Sequence, residues 1–263
     1  MLNWDAETLW LALEPLAPGL SIEVLPQCGS TNTVLLERAR TAGDAAYPCL
    51  LVTEQQTAGR GRLGRQWWSE PGGALMFSLS LPYAPADWSG LSLAVGLAVA
   101  EALDEAGTLI GLKWPNDLWL RHEDRKLGGI LIETTALVAP ATPNARLAVI
   151  GIGLNIAPQA PAGGSYNTGY AGLQAVDPRW DAPTVLARVA PALLRLLNRF
   201  ESTGLAPLTP AFAARDVLAG REVRAGAEQG RAAGIDASGN LLLQTAAGDL
   251  QAVFSGEVSV RPC

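Results

Sequence analysis

The chain has 263 residues, 49% hydrophobic and 17% charged, which is enough to bury a sizeable core and to hold a large domain with a small one beside it. Its net charge of −6 and pI near 4.9 argue against a general coat for nucleic acid, which needs a basic face. Three cysteines without metal-ligand spacing (Cys28, Cys49, Cys263) and a single histidine (His122, in a charged turn) argue against a disulfide framework, a histidine-rich metal centre and a Ser-His-Asp triad. No stretch has the length of a membrane span or the pattern of a secretory leader, so a reducing cytoplasm is the expected setting.

In chain order, Asp5 to Leu16 places Leu9, Trp10, Leu13 and Leu16 near helical spacing with Asp5 as a cap. Pro15, Pro18 and Gly19 end that helix, and Ile22 to Leu25 reads as a strand. Ser30-Thr31-Asn32 precedes a helical pattern over Thr33 to Arg40. The cluster is either an N-cap or a set of hydroxyls and amides that holds a small polar head group.

Leu50 to Glu54 reads as a buried strand leading into Gly59-Arg60-Gly61-Arg62-Leu63-Gly64-Arg65, and Ala74 to Leu81 as the strand leading out. Glycines free this loop's backbone to approach a ligand, and each arginine offers a planar fork suited to phosphate or carboxylate. With three cations and no acid in the segment, the loop is expected to be mobile until an anion fills it. The plainer alternative is a solvated hairpin tip or a non-specific grip on nucleic acid.

Leu91 to Gly107 is a small-residue helix buried on most sides. Lys113-Trp114-Pro115-Asn116-Asp117 interrupts a strand spanning Leu112 to Leu120, because proline cannot join a central ladder and Asn-Asp favours turns. Lys113, Asn116 and Asp117 are therefore expected at a sheet end facing a cleft. Arg121 to Arg125 is a hairpin turn, and Lys126 to Glu133 resumes as a strand whose paired glycines, Gly128 and Gly129, allow close approach. Lys126 either serves that cleft or extends to water.

Leu147 to Ile156 is another apolar strand. Its Gly151-x-Gly153 lacks the third glycine of a dinucleotide fingerprint, which rules against a Rossmann reading, and its Asn155 must find hydrogen-bond partners. A turn is expected over Ala139 to Asn144, a loop over Pro158 to Gly172 and an amphipathic helix over Pro183 to Phe200. Beyond Phe212 come short strands at Glu222–Ala225, Gly230–Ile235, Leu241–Thr245, Gln251–Phe254 and Val258–Val260, which suggest a small all-β barrel.

Five segments occur in an order that resembles the biotin–protein ligases: Ser30-Thr31-Asn32; Glu54-x-Gln56-x-x-Gly59-Arg60-Gly61-Arg62-x-Gly64-Arg65-x-Trp67; Lys113 to Asp117; Arg125-Lys126-Leu127-x-Gly129-Ile130-Leu131-x-Glu133; and Gly151-x-Gly153-x-Asn155. The resemblance implies an α+β fold, a mixed sheet flanked by helices of the class II synthetase/biotin ligase kind over residues 1–214. An SH3-like barrel over residues 215–263 would follow. Only about twenty residues precede the first strand, so a monofunctional type without a DNA-binding domain is expected. Glycine at position 128 departs from the family pattern.

The implied chemistry is activation of biotin by ATP to biotinyl-5′-adenylate, then transfer to one lysine of the biotin carboxyl carrier protein of acetyl-CoA carboxylase or a related carboxylase. Ser30, Thr31, Asn32, Gln56, Gly59, Gly61, Gly128 and Gly129 would meet biotin. Arg60 and Arg62 would close over it, and Lys126 would stand between its carboxylate and the α-phosphate. Arg62, Arg65, Trp67, Lys113, Asn116, Lys126 and Asn155 would meet the nucleotide, with Trp67 near the adenine, while Asp117 would orient or deprotonate the incoming lysine. Mg²⁺ is implied by ATP, with ligands unassigned, and a homodimer by sheet extension is compatible with the family. The rival reading within the fold is a lipoate–protein ligase, which the arginine loop and C-terminal strands disfavour. A nucleic-acid-binding module is the rival of another class.

Overall fold

The computed structural model describes residues 2–41, 48–68, 70–137, 142–158, 169–254 and 260–262. Most of the loop expected over Pro158 to Gly172, part of the turn over Ala139 to Asn144, the start of the Val258 strand and Cys263 lie outside them.

The larger part is a seven-stranded sheet of β1 (Ser21–Leu25), β2 (Cys49–Thr53), β3 (Ala74–Tyr83), β4 (Ile110–Lys113), β5 (Asp117–Leu120), β6 (Arg125–Ala136) and β7 (Arg146–Asn155). Its spatial order is β1-β2-β3-β7-β6-β5-β4, with β1 and β2 parallel and the rest antiparallel. The sheet is therefore mixed, as expected. One face packs on α1 (Ala6–Leu13), α3 (Leu91–Leu103) and α4 (Ala182–Thr203), the other on α2 (Thr31–Thr41).

Period-2 alternation decides what each face buries. Leu50 and Val52, Leu75, Phe77 and Leu79, and Ala148, Ile150, Ile152 and Leu154 point into the main core beside α3 and α4. Each such side chain, fully buried, contributes roughly 1.5–3 kcal/mol. The helix α4 starts cleanly because Asp181 accepts a 2.8 Å hydrogen bond from the Thr184 amide and Pro183 sits in the first turn. It stops at Gly204, whose φ is 61°.

Three boundaries differ from the sequence reading. Asp5 occupies the cap position of α1 but makes no side-chain cap bond. The helix α3 ends at Leu103 because Asp104 turns its carboxylate back onto the amides of Gly107, Leu109 and Ile110, and Arg215 bonds the same carboxylate. The helix α2 begins at Thr31, so Thr31 and Asn32 stand in its first turn rather than before it.

The hinge of the site is a bulge. Asp117 pairs with Gly129 and Leu118 with Gly128, yet Trp119 pairs with Lys126, so Leu127 is the extra residue. In a regular strand Lys126 and Gly129, three residues apart, would face opposite sides; the bulge lets both share the α2 side while Leu127 is fully buried in the main core.

After α5 (Thr209–Arg215), β8 (Glu222–Ala225), β9 (Glu228–Ile235), β10 (Leu241–Gln244), β11 (Leu250–Val253) and β12 (Val260–Pro262) form an antiparallel sheet in the order β11-β10-β9-β8-β12. It is tied to the large sheet by the Val217 amide on the Leu112 carbonyl, the Trp114 indole on the Gly239 carbonyl and an Arg221–Asp124 ion pair at 3.0 Å. The Trp114–Pro115 peptide between β4 and β5 is cis. No helix among the described residues is long and apolar enough to cross a membrane.

Candidate active site

The α2-side face of the sheet is built to receive something. Across its centre run Leu51, Ser78, Gly151 and Leu131 in one rung and Thr53, Met76, Gly153, Gly129 and Asp117 in the next. Gly151 and Gly153 remove the side chains that would fill the space. A Cβ at Gly151 would collide with the Asn32 amide, and one at Gly153 would lie 2.6 Å from the Trp67 ring. The space left over is a cavity of about 370 Å³, the size of a small-molecule site.

One end of the cavity is uncharged and rich in hydrogen-bonding groups. Ser30, Thr31 and Asn32 are buried there. Gln56 accepts the Thr31 amide at 2.8 Å through Oε1, and Ser78 Oγ lies 2.7 Å from Thr31 Oγ1 and 2.6 Å from Asn32 Oδ1. Sequence left open whether this cluster caps the helix or holds a head group. The cluster opens α2, and the first turn of that helix forms part of the cavity wall.

The other end is cationic. Lys126 Nζ is 2.6 Å from Asp117 Oδ1, with both side chains about three-quarters buried. Lys113, paired opposite Asp117, lies 4.2 Å from the Trp119 ring centroid, and burial pushes its pKa down against the pull of Asp117. Burial lowers the Arg62 pKa in the same way, with Asp117 opposing it and Arg65 adding to it. These desolvated cations under mutual repulsion gain when an anion replaces the lost water. Asn116 donates to the Ile130 carbonyl at 2.8 Å, which fixes the turn carrying Asp117.

The arginine loop closes the cavity. The Trp67 amide bonds the Gly59 carbonyl, the Gly61 amide bonds Arg65 at 2.7 Å, and a single helical turn, Arg62–Gly64, forms the tip. The expectation of three cations uncompensated within this loop needs correcting: Arg60 is ion-paired with Glu133 on β6. The acid is 73 residues away in sequence, so the segment alone could not reveal it.

Sequence comparison addresses the same elements. Residues 24–155 match the Biotin/lipoate A/B protein ligase family and residues 219–261 the Biotin protein ligase C terminal domain. The bifunctional ligase/repressor of Escherichia coli (strain K12) is 38% identical over 252 residues, covering 92% of this chain and 75% of that protein. The chain is a member of the biotin–protein ligase family. The biotin–[acetyl-CoA-carboxylase] ligase of Paracoccus denitrificans is 32% identical over 238 residues, covering 86% of this chain and 95% of that one. A biotin protein ligase of Aquifex aeolicus, solved in complex with biotin and ATP, superposes with a TM-score of 0.73 at 29% identity, covering 94% of this chain and all of that one.

In this family member the expected site residues largely converge. Gly61, Arg65, Trp67 and Gly129 join the residues already described on the cavity wall. Gly59, Gly128 and Asn155 do not line it. The bare Cα of Gly59 makes room for the Trp67 carbonyl within the hairpin, and a Cβ at Gly128 would lie 2.5 Å from the Gly153 carbonyl, so both glycines serve chain packing. Asn155 is buried, 3.5 Å from the Lys126 carbonyl, and supports the strand that carries the lysine.

Sequence reasoning assigned no role to Ser78, to the receiving glycines Gly151 and Gly153, to Tyr170, or to Val260 and Arg261, which reach the cavity from the C-terminal sheet. Only the strand register exposes the first three, and only the docking of the two sheets exposes the last two.

Proposed function

We infer that this chain is a biotin–protein ligase. It activates biotin with ATP to biotinyl-5′-adenylate and then passes the biotinyl group to a lysine of a biotin carboxyl carrier protein. The observation that carries this is one cavity with a neutral hydrogen-bonding end suited to a ureido ring and a cationic end suited to a carboxylate beside a triphosphate.

In the first step a biotin carboxylate oxygen attacks the α-phosphorus, the bond to the bridging oxygen breaks, and pyrophosphate leaves. Ser30, Thr31, Asn32 and Gln56 hold the ring, and Gly61 and Gly129 let the ligand lie close to backbone. Lys126 stands between the two anions as a point charge, Arg62 and Arg65 stabilise charge moving onto the phosphates, and Arg60 closes over the ligand. Lys113 and Asn116 serve the nucleotide. The Trp67 ring lines the cavity beside the nucleotide end, and its buried indole N–H has no partner among the described residues. In the second step the carrier amine attacks the acyl carbon, AMP leaves, and Asp117 orients the amine or takes its proton. The closed loop shields the mixed anhydride from water.

Mg²⁺ is proposed to arrive on the ATP phosphates. Among the described residues no three His, Cys, Asp or Glu side chains cluster to hold a metal, and Asp117 and Glu133 are each held by a cation, so these residues build no cage for it. Acetyl-CoA carboxylase is the proposed acceptor's parent enzyme, from the names of relatives. A cytoplasmic setting, absence of DNA binding and a homodimer through an open sheet edge are further parts of this reading. Biotin-dependent exchange of labelled pyrophosphate into ATP tests it. Exchange with biotin and not lipoate is expected; lipoate-dependent exchange, or none, would overturn it.

A further inference from the structure

Glu133 belongs to none of the ligand-contacting groups above, yet its carboxylate joins two of them. It stands on β6 one rung beyond Leu131, on the cavity-side face, opposite Val149. Oε1 accepts from the Arg60 guanidinium, and Oε2 accepts from the Asn32 amide at 2.9 Å. Its side chain is 27% exposed, so it sits at the rim rather than in the wall.

The second contact has a directional consequence. An ionised carboxylate can only accept, and so can the Leu131 carbonyl, which takes the other Asn32 N–H at 3.2 Å. Both Asn32 protons are thereby committed, and Asn32 Oδ1 must face Ser78, 2.6 Å away. The single Ser78 proton goes to that oxygen, so the Thr31 hydroxyl supplies the proton of the 2.7 Å Ser78 contact or of the 3.2 Å contact to Gln56 Oε1. Gln56 Oε1 is already taken by the Thr31 amide. What remains at the end of this row is the Gln56 NH₂, presented as a donor to the cavity.

We propose that Glu133 is a positioning residue for the ligase reaction: one carboxylate oxygen holds Arg60 and with it the closed loop, and the other fixes the donor–acceptor polarity of the ring-binding row. This rests on the biotin-ligase reading of the same cavity. Its effect is on holding biotin and its adenylate, not on the bond-breaking step.

The test compares wild type with Glu133→Gln, which keeps the shape, loses the charge and can donate as well as accept. Release of bound biotinyl-adenylate and the KM for biotin in pyrophosphate exchange should each rise about fivefold, the size expected of a part-exposed ion pair plus one charge-assisted hydrogen bond. The exchange kcat at saturating biotin should stay near wild type, a split that general damage to the fold would not produce. Tryptic cleavage after Arg60, Arg62 and Arg65 should be faster in the unliganded variant. Wild-type release and KM in Glu133→Gln, or a fall in kcat alone, would overturn the proposal. Glu133→Met, an apolar side chain of similar length, repeats the measurement if the glutamine variant melts early; loss of fold in both would make Glu133 a structural residue and end the proposal. Absence of biotin-dependent exchange in the wild type would instead end the functional reading beneath it.

Discussion

The two faces of β7 obey opposite rules although they alternate along the same ten residues. On one side Ala148, Ile150, Ile152 and Leu154 fill the main core; on the other, Gly151 and Gly153 give up their side chains so that Asn32 and Trp67 can sit against bare backbone. The first face gains stability from atoms present, the second gains a binding site from atoms absent. Substitutions on the two faces should therefore separate stability from activity.

The largest effect should come from the charged end of the binding face. Lys126→Ala is expected to slow adenylate formation about 10²–10³-fold, the scale for removing a group that stabilises transition-state charge, because it also leaves Asp117 facing the phosphates unpaired. Pyrophosphate exchange measures it, and a near-wild-type rate would remove Lys126 from the mechanism. Gly153→Ala should come next. Its Cβ would displace the Trp67 ring, weakening ATP binding about tenfold by the usual cost of overpacking, and tryptophan emission should report the displaced ring.

Ser78→Ala sharpens the comparison from β3. It leaves Asn32 Oδ1 buried without its donor, at a cost of about 1–3 kcal/mol, and should raise the biotin KM severalfold while sparing kcat. For Lys113, burial sets the folded pKa below the usual 10.5. Between those two values the unfolded chain binds more protons, so stability should rise with pH across that window. ATP affinity should fall over the same range as the lysine loses its charge, and Lys113→Arg should move that fall to higher pH. Last, Ile150→Val on the core face should cost about 0.5–1.5 kcal/mol in urea unfolding and leave both substrates' KM unchanged. A loss of activity there would mean that the two faces are not separable.

Much of this was legible beforehand because its signals are local. The glycine-arginine loop and the strand broken at Pro115 each carry their reason within a few residues. So does α4, with its apolar stripe following Pro183. The Glu133–Arg60 pair was not legible, since any of the acids in an acidic chain could have neutralised that loop. Gly128 and Gly129 look equivalent in sequence, and only the register shows that one packs against β7 while the other opens the cavity. The approach of Arg261 depends on how one sheet docks on another, which no local pattern encodes.

The extra residue at Leu127 gives the spacing between Lys126 and Gly129 a meaning that neither letter has alone. In a regular strand an interval of three separates two residues onto opposite sides, and the lysine would be driven beneath the helices among the leucines. The irregular pairing of that short segment thus sets the address of a charge. Removal of Leu127 would leave Lys126 and Gly129 an interval of two and still on one side, so the loss should fall on the packing of a fully buried leucine more than on the placement of the cation.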